Sequence, residues 1–469
     1  MVSSLLPSPQ YVPRPPAGLG LLRKYAGPVP RYTSYPTANH FTDDLSVLAP
    51  GALIDSDNRP GAGPLSVYVH LPFCRSRCWF CGCTNLVTQH VELADAYLDD
   101  LQREIGLTAR SLDPARTVTQ LHLGGGTPTF LSAVQLRRLG EILHAAFRFE
   151  PDAEIAVEID PRHLEPAQVE ALREMGARRA SLGVQDTDPA VQLAIHRVQP
   201  PALNERAFTL LRNAGFKSIN VDLIHGLPRQ TVSTFARTID DVLGLAPDRL
   251  SVFAYAHVPG IKPSQRIFDR QGLLPGVDEK LRMQLLARER LLSAGYVDVG
   301  MDHYARPDDE LAVAVRRRGL HRNFQGYSTR AGASVYGFGI SAISTTADGH
   351  RQNHKSLAVY RQALARGELP VARGWRLSEE DRRRHKLIMS LMCARGLDFD
   401  TLSGELGIDV ASAYADELAS LADLVADGIV ERTPRGLVVT EAGLPFVRVV
   451  ASRFDAFLRP GATGHAAAV

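Results

Sequence analysis

The chain has 469 residues, enough for one large core and a smaller second one. Its 45% apolar and 22% charged residues suit a globular protein, and 53 Lys and Arg against 51 Asp and Glu leave a formal charge of +2, which excludes binding to nucleic acid or an anionic membrane by bulk charge. The opening MVSSLLPSPQYVPRPP is broken at Pro7 and Pro9 and no apolar run reaches 18 residues, so neither a secretory leader nor a membrane span is expected, and the default location is the cytoplasm.

Residues 1–60 are rich in proline, glycine and polar side chains and read as an extended N-terminal arm with little core of its own. Between 61 and 375, short apolar runs alternate with longer amphipathic ones. The β-rich runs are 65–73 (LSVYVHLPF), 120–125 (QLHLGG), 154–160 (EIAVEID), 180–186 (ASLGVQD), 218–228 (SINVDLIHGLP) and 250–259 (LSVFAYAHVP). Helical stretches such as 94–112 and 133–147 lie between them, the second placing Val134, Leu136, Leu139, Ile142 and Leu143 at helical spacing. This alternation predicts an α/β fold, a full or partial parallel barrel whose near-continuous apolar strands are buried on both faces. A barrel is favoured because residues capable of chemistry recur at the C-terminal ends of successive runs, where barrel enzymes place their sites. Residues 376–469 read as a mainly helical C-terminal domain with a small hairpin (VERTPRGLVVTEAG) and a tail, PGATGHAAAV, expected to be disordered. A winged-helix DNA reader has a similar outline, but Arg382, Arg383 and Arg384 stand beside Glu379, Glu380 and Asp381, the pattern of a solvated helix face.

Four of the five cysteines, Cys74, Cys78, Cys81 and Cys83, fall directly after the first β-run. A disulfide framework spreads its cysteines along a secreted chain; this spacing points to a metal or cluster site. C-x3-C-x2-C supplies three thiolates to a 4Fe–4S cluster and leaves one iron open to a small molecule bearing an amino and a carboxylate group. A zinc knuckle would need a distant second pair, which the chain lacks. Cys83 could complete an electron-transfer cluster, although the Cys81-Gly-Cys83 spacing strains that geometry. Cys393, alone in an apolar run, reads as a core residue. Gly124, Gly125, Gly126 and Thr127 end the second run, where a bound molecule can approach the backbone closely, and no Gly-Lys-Ser/Thr follows to make a phosphate loop.

The cysteine spacing, with Phe80 before the third cysteine, resembles the radical S-adenosylmethionine (SAM) signature. The likeness continues through Tyr68–Cys74, Gly124–Thr129, Glu158–Pro161, Gly183–Asp186, Asp222–Pro228, Gly300–His303, Arg306–Leu311 and His321–Tyr327. With the arm motif Arg31–Thr37 and the fourth cysteine, the chain resembles the oxygen-independent coproporphyrinogen III oxidases from about residue 30 to 460. The resemblance implies a 4Fe–4S cluster on Cys74, Cys78 and Cys81 and a pair of SAM molecules contacted by Tyr68, Phe80, Gly125, Gly126, Thr127, Glu158, Gln185, Arg197, Asp222, Ala256 and Ile343. Read from the sequence by themselves, Glu158, Gln185 and Asp222 end strands and serve equally as helix caps. Arg197 looks like a solvated arginine on a helical stretch, and Tyr68, Phe80, Ala256 and Ile343 look like core.

The family's reaction converts two propionates of coproporphyrinogen III to vinyl groups, giving protoporphyrinogen IX. A 5′-deoxyadenosyl radical made from SAM by the reduced cluster takes a propionate β-hydrogen, and carbon dioxide and an electron leave. No side chain beyond the cluster ligands need be catalytic. A reductant such as flavodoxin or ferredoxin is implied, and a monomer with no nucleic-acid partner is expected. The tetra-anionic substrate requires cations near the site, and Arg316, Arg317, Arg318 and Arg322 form a basic run that serves equally as an exposed loop. Tyr32, Ser34 and Tyr35 are expected to fold back towards the site. The family usually has Asn directly after the fourth cysteine and often Tyr where Trp79 stands; here Thr84 precedes Asn85, and neither change is expected to touch a cluster ligand. The alternative is a haem-binding chaperone on the same fold, whose members usually lack the fourth cysteine and the long arm.

Overall fold

The computed structural model describes residues 18–458; the tail expected to be disordered lies outside the described residues. Strands β1 (Leu65–Leu71), β2 (Thr117–Gly125), β3 (Arg148–Ile159), β4 (Arg179–Gln185), β5 (Ser218–His225) and β6 (Arg249–Ala254) pair in parallel in chain order. Helices α1 (Leu93–Ala109), α2 (Ala133–Ala146), α3 (Pro166–Glu174), α4 (Pro201–Asn213) and α5 (Val232–Gly244) make the crossovers, and α6 (Val277–Ser293) follows β6. Serine 132 starts α2 with a capping box to Gln135, and the Thr231 hydroxyl caps α5, so local chemistry marks where these helices begin. On α2, Leu136, Leu139, Ile142 and Leu143 are buried as their spacing predicts, but Val134 is 74% exposed because its place in the first turn faces away from the sheet.

The sheet continues beyond the repeats. Strand β7 (Val297–Gly300) and β8 (His303–Ala305) extend the β6 edge in antiparallel fashion; α7 (Glu310–Arg317) follows. The chain then crosses to the other edge, where β9 (Ser334–Phe338) lies parallel to β1. Strands β10 (Ile343–Thr346), β11 (Gly349–Asn353) and β12 (Val371–Arg376) continue it antiparallel, with α8 (Leu357–Ala365) before β12. The order across this 12-stranded sheet leaves β6 and β9 unpaired with each other, so the barrel is partial.

The expectation of a sheet apolar on both faces is corrected. Val67, Val69, Leu121, Leu123, Val157, Leu182, Val221 and Leu223 pack under the helices in the main core. The residues between them alternate to the concave face with period two. That face carries Gln120, His122, Glu158, Ser181, Asp222 and Ser251 and lines a cavity of about 580 Å³. Polar side chains there face the cavity rather than packed core.

A second core joins the C-terminal region to the arm. Leu387, Ile388 and Leu391 of α9 (Glu379–Ala394) pack with Leu418, Leu424, Phe446 and Val450, and Leu22, Tyr32 and Tyr35 enter the same cluster. The arm is not wholly extended: it forms helical turns at Leu19–Lys24, Leu45–Leu48 and Pro50–Asp57. Tyr32 and Tyr35 do not line the cavity. Tyr32 Oη donates to Asp455 at 3.0 Å, and the Ala456 amide donates to Tyr35 Oη at 3.0 Å, because the C-terminal layer offers these rings burial and hydrogen bonds together. Ser34 Oγ is used locally, donating to the Pro36 carbonyl at 3.0 Å. The hairpin expected near the C-terminus is present at Val430–Thr433 and Gly436–Val439. Arg383 pairs with Glu379, and Arg384 with Glu380 at 2.7 Å and Glu417 at 2.8 Å, which neutralises the cluster that a DNA reader would need.

Candidate active site

Strand β1 delivers the chain to the cysteine loop at the C-terminal edge of the sheet. Backbone bonds fix the loop to the end of β2: the Gly126 amide donates to Leu71 O and the Thr127 amide to Phe73 O, both at 2.8 Å. Leu86 N to Pro72 O, 2.7 Å, and Thr88 N to Cys74 O, 3.0 Å, close the far side. The glycine run is what allows this approach. A β-carbon at Gly126 would stand 2.6 Å from the Pro72 carbonyl carbon, and one at Gly125, whose φ is +114°, would stand 2.7 Å from the His70 ring. The glycines are therefore required by the protein's own packing before any ligand is considered.

The loop turns part of its residues to the cavity and part away from it. Cys74, Ser76, Cys78, Phe80, Cys81 and Cys83 line the cavity, whereas Arg75, Arg77 and Trp79 do not. Among the described residues no three metal-ligating side chains converge as a single ion requires. The thiols instead share one wall, the disposition suited to a cluster that offers a separate iron to each sulfur. Each sulfur also has a polar neighbour. Thr127 Oγ1 lies 3.5 Å from Cys74 Sγ. Arg197 Nη1 and Arg162 Nη2 donate to Cys78 Sγ at 3.4 and 3.7 Å. The Cys83 amide and Asn85 Nδ2 donate to Cys81 Sγ at 3.4 and 3.6 Å. Asn85 thus does reach a cluster-motif cysteine despite its one-residue displacement. Hydrogen bonding from Cys83 pulls the Cys81 thiol down to about 6, while burial pushes Cys74 up to about 11.

Glu158 stands on β3 beside the glycine run. Burial opposes its charge, but His122 Nε2 at 3.1 Å and the Gly125 amide at 3.2 Å hold its carboxyl below the usual range. Asp222 is mid-strand on β5 rather than at its end. Burial pushes it up to about 6, even though Ser181 Oγ at 2.7 Å and Asn220 Nδ2 at 2.8 Å donate to it. Gln185 ends β4 with φ +70° and reaches the cavity. Arg197 is not a helix-surface residue: it follows the short helix Pro189–Ala194 and is 7% exposed. Its guanidinium donates to Gly183 O at 2.7 Å and to Asp160 at 3.1 Å, and its buried Nε has no partner.

Phe80, Gly125, Gly126, Thr127 and Ala256 line the same cavity as these residues. Tyr68 and Ile343 do not. Tyr68 is the cross-strand partner of His122, its ring stacked on His122 at 5.9 Å and its hydroxyl 3.1 Å from His70 Nδ1; Ile343 starts β10 beyond the parallel strands. Of the basic run, Arg316, Arg317 and Arg318 are exposed around the end of α7, and only Arg322 is buried, over the Tyr327 ring at 4.7 Å.

The radical SAM superfamily model matches residues 68–242, and the HemN C-terminal domain model matches 377–446. The oxygen-independent coproporphyrinogen III oxidase of Salmonella typhimurium is 44% identical over 444 residues, covering 94% of this chain and 95% of its own. That of Helicobacter pylori is 41% identical over 440 residues, covering 93% and 96%. The chain belongs to the oxygen-independent coproporphyrinogen III oxidase family. The solved Escherichia coli coproporphyrinogen III oxidase (HemN), a radical SAM enzyme, matches with a TM-score of 0.89 at 41% identity, over 94% of this chain and 99% of that one. The 4Fe–4S cluster and SAM follow from membership of the radical SAM superfamily.

Within this oxidase scaffold, sequence reasoning missed Asp160, Arg162 and His122. Asp160 takes Arg162 through Nε at 3.0 Å and Nη2 at 2.6 Å while also holding Arg197, so one carboxylate aims two guanidinium groups at Cys78. Arg162 looks like an ordinary surface arginine in the chain. His122 could have been found from its period-two register with Gln120 and Gly124 on the strand that ends in the glycine run.

Proposed function

We propose that this protein carries out the oxidative decarboxylation of two coproporphyrinogen III propionates to vinyl groups, yielding protoporphyrinogen IX without oxygen. The observation that carries this reading is the sharing of one cavity by Cys74, Cys78 and Cys81, an adjoining glycine run and polar strand residues, in a chain of this family. The donor set fits the cofactors: three thiols in separate positions, hydrogen-bond donors on two sulfurs, and a buried Arg197 Nε lacking a partner. When bound, the cluster and SAM supply a 5′-deoxyadenosyl radical that removes hydrogen from a propionate β-carbon.

The protein's own residues bind, orient and exclude water. Cys74, Cys78 and Cys81 would hold the cluster. The Gly125–Thr127 backbone admits a ligand closely, and ionised Glu158 accepts hydrogen bonds from a ribose or an ammonium group. Asp222, Gln185 and Arg197 line the same cavity, and the family resemblance extends this reading to a pair of SAM molecules. Phe80 and Ala256 would screen the mouth. We place the reaction in the cytoplasm, in a monomer fed by flavodoxin or ferredoxin.

Anaerobic reconstitution with iron and sulfide, followed by reductant, SAM and coproporphyrinogen III, should give protoporphyrinogen and 5′-deoxyadenosine. Both products should vanish in Cys74→Ala. Formation of 5′-deoxyadenosine with no vinyl product would move the substrate elsewhere.

A further inference from the structure

The outward side of the cysteine loop has no role in the site described above. Arg75, Arg77 and Trp79 turn away from the cavity that their neighbours line. The Trp79 indole stacks on the His196 imidazole, with centroids 5.1 Å apart and planes 8° apart. His196 Nδ1 donates to the Arg77 carbonyl at 2.8 Å, and the Trp79 amide donates to Ile195 O at 3.1 Å. The stack therefore stands one residue from Cys78, and His196 and Arg77 are both exposed.

Three segments meet here. The loop 72–91 touches 189–204 through the contacts just given. It touches 255–268 through Lys262 Nζ to Cys83 O and Gln265 Nε2 to Phe80 O, both at 2.9 Å. None of the three contains Asp or Glu, whereas outside the cavity they carry Arg75, Arg77, His196, Lys262 and Arg266. In a chain of formal charge +2 this is a local concentration of one sign. Of the four acids that border these segments, Asp188 caps its helix and faces Arg237 at 3.4 Å, Asp269 pairs with His257 at 2.6 Å, Glu92 lies 2.9 Å from His90, and Glu205 is exposed. Beside the cations, Leu193 is 66% exposed, Val198 53% and Ile261 70%. Apolar side chains ringed by charge are the composition of a transient docking patch.

We propose that this outer face, centred on Trp79 and His196, docks a small acidic protein carrying a low-potential one-electron centre. The carrier gives one electron to the oxidised cluster and leaves oxidised by one electron; the Trp79 side provides the short route. The inference rests on the cluster assignment to Cys74, Cys78 and Cys81. The substrate is also anionic, but Arg77, Trp79, His196 and Arg266 do not line the cavity. Charge steering then belongs to the carrier's encounter rate and falls with ionic strength.

The test uses the reconstituted full chain and flavodoxin hydroquinone as the probe, with cluster bleaching followed by stopped flow. Neutral photoreduced 5-deazaflavin is the control reductant. Arg77→Glu should slow reduction by flavodoxin about tenfold at low salt, flatten its salt dependence, and leave the deazaflavin rate and the KM for coproporphyrinogen III unchanged. Arg266→Glu, outside the cysteine loop, should show the same selective loss and guards against simple damage to the loop. Equal flavodoxin rates in wild type and both variants would overturn the proposal, as would equal slowing with both reductants in both variants. A chain that assembles no cluster, judged by iron content and visible absorbance before mixing, would instead bring down the functional reading and this inference with it.

Discussion

Gly126 and Asp160 act at the same site through opposite means, one by lacking atoms and the other by supplying charge. The 2.6 Å separation between a Gly126 β-carbon and the Pro72 carbonyl carbon involves backbone, which cannot swing aside. Gly126→Ala is expected to cost about 1–3 kcal/mol in chemical denaturation and to lower iron bound on reconstitution, since the cysteine loop must shift. Asp160 is buried with Arg162 and Arg197, whose charges hold its carboxyl well below the usual range against the opposing effect of burial. Asp160→Ala strands Arg197, 8% exposed at its side chain, and should cost about 3–5 kcal/mol by the same measurement. The cysteine motif was legible because its ligands are adjacent in the chain. Asp160 was not, because its partners lie 2 and 37 residues away and only folding brings them to one carboxylate.

At the scale of elements, the strand–helix repeat was readable because each strand's inward-packing residues are apolar and each helix has a matching stripe. What the runs concealed was the second face. Period-two alternation in EIAVEID places Glu154, Ala156 and Glu158 on the cavity, but the short run also looks like a strand buried on both sides. The closing strand β9 was missed as well: its fully buried residues, SVYGF, lack the alternation and the crossover that marked the other six. Glu104 shows how α1 is fastened to that edge. It accepts from Gly339 N at 2.7 Å, Tyr360 Oη of α8 at 2.5 Å and Asn353 Nδ2 of β11 at 2.6 Å, and burial pushes its carboxyl up to about 7. In the sequence it is one acid on an amphipathic helix. Glu104→Ala leaves these donors unpaired in the core and should cost about 3 kcal/mol, read as a lower denaturation midpoint.

Across the whole molecule, the arm and the C-terminal layer share one core, so residues distant in sequence fold as a unit. His350 on β11 links that unit to the sheet. Its Nε2 lies 3.3 Å from the Tyr35 carbonyl and its Nδ1 3.1 Å from Thr345 Oγ1, and burial, helped by His385, pushes it down to about 4. The imidazole is neutral in the fold, so below about pH 6.5 the unfolded chain takes up a proton that the folded chain refuses. Its contribution is present above pH 6.5 and is lost as pH falls towards 4. The stability advantage of wild type over His350→Gln should shrink by up to about 1.4 kcal/mol per pH unit across that window, measured by denaturation at each pH.

The central claim, that a radical generated at the cysteine wall takes hydrogen from the propionate β-carbon, is tested most directly with coproporphyrinogen III deuterated at those carbons. Anaerobic turnover should give 5′-deoxyadenosine one mass unit heavier, alongside protoporphyrinogen. Unlabelled 5′-deoxyadenosine accompanying vinyl product would contradict the account.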